Sequence, residues 1–333
     1  MMKPNSLRRC AALILVLCLF VCVSVPALAA DTAADLEIYQ FAEHYADLCG
    51  NVKNKSALSL FLMAAVPIES GVHSKLIVPV PYSDKIYTDL LKRGKSLFRE
   101  YTSSNNFGLY AYPATGNYVG PLQIGSNYFT FAIAKDELFT SDRTNLPDSF
   151  NAVAGKMNNS LGIFKRLNNS RTLPNTKYGM VALYAIAHNY GESVFTLKDD
   201  AKTSVNGEIY RPSGAFNWAK AVGSAENVLM IQEYIQRKGI LYYDQSTCKE
   251  LVWAVYCNAR ASMIRTHGSF GNADIDGVSG ENGHKREVFT AKEFSTSYLG
   301  SRNEKVMFPI KVLISAVIVE ERYALCSWSG NLK

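Results

Sequence analysis

The stretch MAAVPIES, residues 63–70, ends an apolar run with a single carboxyl group, that of Glu69. Apolar neighbours disfavour the ionised form of a carboxylic acid, because a charge loses its hydration there. A carboxyl group that keeps its proton near neutral pH can act as a general acid. The sequence therefore predicts that Glu69 protonates a leaving group. A lone Glu at a helix end is more often a solvated surface residue. A catalytic role for Glu69 therefore depends on whether other polar residues suited to the same site occur in the sequence.

Two later fragments place amide side chains in short segments rich in glycine and aromatic residues. YVGPLQIGSNYF contains Gln123, and LYAIAHNYGES contains Asn189 at the end of an apolar run. An amide side chain both donates and accepts hydrogen bonds, which suits the N-acetyl and hydroxyl groups of a sugar or the orientation of Glu69. Pro121 removes one backbone donor from the first fragment, which leaves the fine shape of that loop open.

Taken in order, the three motifs resemble those of the lysozyme-like lytic transglycosylases, a group that includes the soluble lytic transglycosylases and is related to goose-type lysozyme. Glu69-Ser70 matches the Glu-Ser of that family at a helix end, and Gly120 to Gln123 matches its Gly-x-x-Gln. The AHNYG run, residues 187–191, matches its Ala-Tyr-Asn-x-Gly helix end, with His188 where the family usually has Tyr.

The resemblance implies an exported enzyme that cleaves peptidoglycan between N-acetylmuramic acid and N-acetylglucosamine, with glycan strands as its partner and without a cofactor or metal. Glu69 would protonate the glycosidic oxygen and then, as a carboxylate, accept the proton of the C6 hydroxyl that attacks C1. This leaves a 1,6-anhydro end. The substrate-binding residues would be Ser70, Gln123, Asn189, Tyr190 and, on a weaker local match in IQEYIQRKG, Tyr234. Tyr118, Tyr128 and Tyr190 are candidates to stack on sugar faces.

Two alternatives stay open at this point. An inverting muramidase would use water, activated by a second carboxylate at about 6.5–9.5 Å from the acid. The candidates in the sequence are Asp84, Asp89 and Glu100, although nearby Lys and Arg residues favour surface roles for them. The other alternative is a catalytically silent wall-binding protein on the same fold.

Apolar residues at helical spacing predict a mainly α, lysozyme-like domain with a small loop and strand region. We expect helices over residues 33–50, 56–71, 84–104, 148–167, 178–191, 225–239 and 246–264, with Ser56 as a candidate cap. Residues 308–323 predict a final apolar helix or strand, and residues 103–128 and 268–283 predict loops.

The chain divides into a leader, an enzyme domain and a C-terminal extension. Residues 1–30 have a basic start, an apolar run and the Ala-x-Ala spacing of a secretory signal peptide. We therefore expect a secreted or cell-wall-associated protein without stable membrane insertion. The enzyme domain would span residues 31–240, with an insertion at about 72–117, because the family spaces its first two motifs more closely. Residues 241–333 would pack on the same domain.

The charge of the chain argues against a nucleic-acid-binding protein. The formal net charge is +6, but the leader holds three of the 35 basic residues and none of the 29 acidic ones. The mature chain is therefore near +3, and it has no basic stripe with interleaved aromatic residues.

The spacings of cysteines, histidines and acidic residues leave the disulfide state open and give no clear metal site. Cys49, Cys248, Cys257 and Cys326 follow the leader, and they form either two disulfides or free thiols. A helix over 246–264 would hold Cys248 and Cys257 about 13 Å apart, too far for a bond between them. No spacing of histidines indicates zinc. NADIDGVSGENG, residues 272–283, partly matches a calcium loop, but glycine stands where the bidentate Glu belongs, so we favour a solvated turn-rich loop.

Overall fold

The structure is a computed structural model that describes residues 35–69, 81–83, 118, 120–135, 139, 141–143, 146–199, 201, 203–205, 208–240, 242–267 and 304–328. The helices are α1 Ile38–Asp47, α2 Lys55–Glu69, α3 Leu146–Arg166, α4 Lys177–Tyr190, α5 Ser193–Thr196, α6 Pro212–Val222, α7 Ala225–Lys238, α8 Gln245–His267 and α9 Glu304–Trp328. A 3₁₀ helix spans Ser126–Phe131. The prediction of a mainly α fold is confirmed.

Four short strands pair in two antiparallel ladders. β1 Asp35–Glu37 pairs with β2 Pro81–Ser83, and Leu36 lies opposite Tyr82. β3 Thr203–Val205 pairs with β4 Glu208–Tyr210. Several predictions fall outside the described residues: the leader, the 84–104 helix, the 268–283 loop and most of the insertion.

Helix α2 is the central element of the core. Every residue from Ala57 to Pro67 is buried, and the helix packs against α1, α3, α4 and α9. A helix that is apolar on all sides needs neighbours on all sides, and the run ALSLFLMAAV supplies no polar face. Each fully buried leucine or phenylalanine side chain contributes about 1.5–3 kcal/mol. The burial of α2 therefore fixes the position of its last residue, Glu69.

The N-terminus of α2 differs from the prediction, which placed the cap at Ser56. The side-chain oxygen of Asn54 accepts a hydrogen bond from the backbone N–H of Ala57 at 3.0 Å. The hydroxyl of Ser56 donates to that same oxygen at 2.9 Å. Asn54 is therefore the cap, which fits the strong preference for asparagine at this position.

Helix α9 brings the end of the described chain into this core. It packs against α2 and α4, and all its residues from Met307 to Val319 are buried. The sequence left a choice between helix and strand for this segment, and the structure shows a helix. Among the described residues, no helix combines the length and the apolar character that crossing a membrane requires.

Helix α6 was not predicted from the sequence. It begins at Pro212 and ends before Gly223, and it buries Phe216 and Trp218. Gly214 and Asn217 weaken its helical signal, because neither residue favours a helix interior. Proline at the first helical position and glycine just after the last are the local marks that indicate it.

The predicted helix around Cys248 and Cys257 is confirmed as α8. Cys49, Cys248 and Cys257 are free thiols, the first two buried and the third exposed. Burial raises the pKa of Cys248 to about 11 and that of Cys49 to about 12, so both stay protonated at neutral pH.

The approach of α3 to the 3₁₀ helix gives a stability prediction. A Cβ atom on Gly155 would lie 1.8 Å from the carbonyl oxygen of Phe131, which is backbone and cannot rotate away. We expect Gly155→Ala to lower the free energy of unfolding by about 1–3 kcal/mol, the usual cost of overpacking, measured by urea denaturation. Gly50→Ala is the matched control, because no described atom lies within 4 Å of its added carbon. Equal effects of the two substitutions would contradict this contact.

Candidate active site

The three sequence motifs meet at the side chain of His188. Its Nε2 lies 3.1 Å from Oε1 of Glu69, in the first motif, and 3.0 Å from the carbonyl oxygen of Leu122, in the second. His188 itself belongs to the third motif, in the last turn of α4. The histidine side chain is 4% exposed and the glutamate side chain is 17% exposed. One imidazole nitrogen thus joins segments that are far apart in sequence.

Packing between α2 and α4 produces this meeting. Tyr184 and His188 are four residues apart, so they lie on the same face of α4. Both contact Phe61 of α2, with ring centroids 5.9 Å and 5.8 Å from it. Thr176 caps the start of α4, where its side chain accepts from the N–H of Gly179 at 3.0 Å. The two helices therefore end near each other and present Glu69 and His188 together.

The Gly-x-x-Gln segment is a β-turn that the Gln123 side chain closes. The carbonyl oxygen of Gly120 accepts from the backbone N–H of Gln123 at 3.2 Å and from its side-chain Nε2 at 2.8 Å. Pro121 occupies the second position of the turn, where its fixed φ is favoured and no N–H is needed. The proline therefore suits this loop. Gln123 has a φ of +47°, a left-handed conformation that side chains rarely adopt and that functional sites often hold.

The end of α4 leaves two buried polar atoms without hydrogen-bond partners among the described residues. They are Nδ1 of His188 and Oδ1 of Asn189. Gly191 ends the helix with a φ of +93°, and its N–H donates to the carbonyl of Ala187 at 2.9 Å. Unpaired buried polar groups are uncommon in folded proteins, and two in adjacent residues mark this helix end as a functional candidate.

A charged pair, Lys156 and Glu192, lies beside Glu69 around the ring of Tyr128. The ammonium group of Lys156 lies 4.0 Å from the centre of this ring and 3.9 Å from the carboxylate of Glu192. Burial raises the pKa of Tyr128, and the nearby Glu69, Tyr118 and Glu192 raise it further. Burial lowers the pKa of Lys156, whereas Glu192 acts in the opposite direction. The carboxylates of Glu69 and Glu192 therefore both lie near enough to Tyr128 to disfavour its ionisation.

Sequence reasoning missed Lys156 and Glu192. Glu192 follows Gly191 directly, so it stands one residue beyond the third motif and was within reach of a search of its flanks. Lys156 lies in α3, whose sequence carries no mark of a site. Its part in the site arises only from the packing of α3 on the 3₁₀ helix that holds Tyr128.

The tyrosines predicted to contact substrate differ in their solvent exposure and in their hydrogen-bond partners. Tyr128 and Tyr190 are 8% and 3% exposed, whereas Tyr118 is 56% exposed and so presents its ring to solvent. The hydroxyl of Tyr234 donates to the carbonyl oxygen of Thr247 at 3.3 Å, on α8. The described contacts of Tyr234 thus give no support to a role beside Glu69. Ser70 lies outside the described residues.

The chain matches no protein-family model, no curated protein and no solved structure. Among the described residues, no cluster of His, Cys, Asp and Glu is arranged to hold a metal ion.

Arg171 holds the turn that follows the third motif. Its guanidinium donates to the carbonyl oxygen of Val194 at 2.5 Å and to that of Leu197. It also lies 4.9 Å from the ring centre of Phe216 and 5.3 Å from that of Phe164. These contacts fix α5, which begins directly after Glu192. They therefore help to position the carboxylate of Glu192 beside Lys156.

We expect Arg171→Ala to lower the free energy of unfolding by about 3 kcal/mol, because it leaves carbonyl groups in the protein interior without a charged donor. Chemical denaturation of the variant measures this. Arg166→Ala, at an exposed arginine near the end of α3, is the matched control and should change stability by less than about 0.5 kcal/mol. A loss at Arg171 no larger than that at Arg166 would remove the argument for this contact.

Proposed function

We propose that the chain is an exported lytic transglycosylase with a lysozyme-like fold, which cleaves the β-1,4 bond between N-acetylmuramic acid and N-acetylglucosamine in peptidoglycan. The observation that carries the proposal is the contact of His188 with both Glu69 and Leu122. This contact brings together the three motifs on which the resemblance rests. The meeting of the three motifs at one nitrogen atom supports the resemblance, because the family places the same motifs around one cleft.

Glu69 has the setting that a single acid and base needs. It ends a buried helix and keeps 17% of its side chain exposed, so it combines apolar surroundings with access to a substrate. In the proposed reaction Glu69 gives its proton to the glycosidic oxygen as the bond from C1 to that oxygen breaks. The C6 hydroxyl of the N-acetylmuramic acid ring attacks C1, and its proton returns to Glu69. The product is a 1,6-anhydro end, and water takes no part.

The surroundings support different roles for the other proposed site residues. The Tyr118 ring is exposed and suits stacking on a sugar face. Gln123 shapes the turn that places the Leu122 carbonyl. Asn189 has a buried acceptor oxygen without a hydrogen-bond partner among the described residues, which makes this oxygen a candidate to accept a hydrogen bond from substrate. Ser70, Tyr190 and Tyr234 stay proposed substrate contacts on the resemblance alone.

The decisive substitution is Glu69→Gln, which keeps the shape of the side chain but has no proton to transfer. We expect this variant to fold and to lose about 10²- to 10⁴-fold in lytic rate. The assay is clearance of purified peptidoglycan, with mass spectrometry of the released muropeptides to detect 1,6-anhydro ends. A folded variant that keeps most of the activity would refute the assignment. Binding without cleavage by the unaltered chain would support the silent wall-binding alternative.

A second candidate function is favoured by Glu192. An inverting muramidase needs a second carboxylate, and Glu192, like Glu69, lies close enough to Tyr128 to raise the pKa of its hydroxyl. Asp84, Asp89 and Glu100, the candidates from sequence, lie outside the described residues. The ammonium group of Lys156 lies 3.9 Å from the carboxylate of Glu192.

The substitution Glu192→Gln separates the two reactions. Under the proposed transglycosylase mechanism it keeps activity within about tenfold of the unaltered enzyme and still gives anhydro ends, because no base is needed across the sugar. Under inverting hydrolysis it loses about 10²-fold or more, and the unaltered enzyme gives reducing ends. Glu233→Gln, at an exposed position on α7, is the matched control. Both product type and rate are read from the same digests.

A further inference from the structure

We infer that Lys156 determines substrate specificity at this site: its ammonium group binds a carboxylate on the lactyl or peptide substituent of an N-acetylmuramic acid ring. The identity of this ligand rests on the proposed function, because that function supplies the muramic acid. The availability of the ammonium group depends only on the geometry of the site. Lys156 takes no part in the bond that breaks, so it contributes to the affinity for substrate.

The folded chain leaves the hydrogen-bond donors of Lys156 unused. An ammonium group has three N–H donors and no acceptor. Lys156 forms no hydrogen bond with a described residue, and the carboxylate of Glu192, at 3.9 Å, is beyond hydrogen-bonding distance. The nitrogen also lies 4.0 Å from the ring centre of Tyr128 and 5.5 Å from that of Phe131. Aromatic rings attract a cation, but they do not replace the oxygen acceptors that it loses from water.

Lys156 is largely buried, yet a ligand can reach it. Its side chain is 12% exposed, and its ammonium nitrogen is not among the fully buried polar atoms. A charged group without acceptors pays for its lost hydration, and burial lowers the pKa of Lys156 for this reason. An oxygen of the ligand would replace the lost water. A carboxylate adds Coulomb attraction, which is stronger in a partly desolvated site than in bulk water. The geometry therefore favours a carboxylate as the ligand.

The side chain of Glu192 does not block this role. It is 44% exposed, and it makes no hydrogen bond to the first turn of α5, which it precedes. An ion pair with one exposed member and no hydrogen bond contributes little to stability. The Glu192 side chain can therefore turn toward solvent when the carboxylate of a ligand takes its place beside Lys156.

The ring of Tyr128 relates Lys156 to the acid and to the sugar. The hydroxyl of Tyr128 lies near enough to Glu69 and Tyr118 for both to raise its pKa. The acid, the exposed Tyr118 ring that suits a sugar face and the Lys156 ammonium thus surround one side chain. N-acetylglucosamine is uncharged, whereas N-acetylmuramic acid carries a lactyl carboxylate or, attached to it, a peptide with carboxylates. Lys156 therefore distinguishes the two sugars.

The first test measures binding by isothermal titration calorimetry, with Glu69→Gln in every protein to prevent cleavage. The ligands are a stem-free tetrasaccharide of the glycan, the same tetrasaccharide with its peptides, and an uncharged tetramer of N-acetylglucosamine. We expect Lys156→Met to weaken binding of the muramic acid ligands by about 10- to 100-fold, the usual effect of losing a hydrogen bond to a charged group. Binding of the uncharged tetramer should change by less than about threefold.

Two further variants complete this comparison. Lys156→Arg keeps the charge and should restore affinity to within about fivefold. Lys165→Met, at an exposed position on the same helix, is the matched control and should leave affinity unchanged. A loss confined to the stem-free ligand identifies the lactyl carboxylate, and a loss confined to the stem-bearing ligand identifies the peptide. Equal losses for charged and uncharged ligands would mean a merely structural role and would overturn the inference, as would no loss for either muramic acid ligand.

The second test changes the ligand, so it does not depend on the folding of Lys156→Met. Amidation of the carboxyl groups of the muramic acid ligands removes their charge. We expect the protein with Lys156 intact to bind the amidated ligands about 10- to 100-fold more weakly than the carboxylates. Equal affinity for the two forms would overturn the inference. This test decides if circular dichroism shows that Lys156→Met does not fold.

The outcomes separate this inference from the proposed function. In a lytic chain, Lys156→Met should raise KM and leave kcat nearly unchanged, because the contact is made equally before and during the reaction. If the unaltered chain is not lytic but binds muramic acid ligands through Lys156, the proposed function fails and the inference stands. If the chain is lytic and its binding is independent of Lys156, the function stands and the inference fails. Absence of both lysis and binding would overturn both.

Discussion

The packing of α2 against α4 is the contact on which the rest of the site depends. Phe61 lies between Tyr184 and His188, and this contact sets the distance between the two helix ends. Neither helix has a polar face that would let it move to the surface, since both are buried over most of their length. The carboxyl group of Glu69 is therefore placed by side chains one to two turns away, which makes its geometry a property of the core.

Several residues around Glu69 adopt conformations or bury polar atoms in ways that lower the free energy of unfolding. The burial of apolar side chains in the core offsets this loss. Gln123 holds a left-handed backbone conformation, and adjacent residues at the end of α4 bury polar atoms without partners among the described residues. Each such feature costs on the order of 1–3 kcal/mol. The buried apolar side chains of α2 and α4 contribute comparable amounts many times over. Strain gathered in a few neighbouring residues, over a well-packed interior, is the pattern expected where a protein sacrifices stability for chemistry.

Features that depend on a local sequence pattern could be predicted from the sequence alone. Apolar spacing predicted most of the described helices, and the three motifs named segments that lie together in the structure. The sequence was insufficient where long-range packing decides: Lys156 enters the site only through the contact of α3 with the 3₁₀ helix, and the position of Tyr234 is set by α8. Helix α6 was not predicted because Gly214 and Asn217 have low helix propensity. The burial of Phe216 and Trp218 stabilises the helix in spite of them. The cap of α2 was misplaced because Asn54 and Ser56, two positions apart, both have a side-chain oxygen suited to a cap.

The place of α9 in the core has a consequence for how the molecule folds. Helix α2 is among the first described elements of the chain and α9 is the last, yet they share one apolar interface. Contacts between segments so distant in sequence carry a high cost of loop closure and slow the folding reaction. Until α9 arrives, the apolar flanks of α2 and α4 face water and favour association with other chains. The surroundings of α2, and with them the position of Glu69, are therefore complete only once this contact between distant segments has formed.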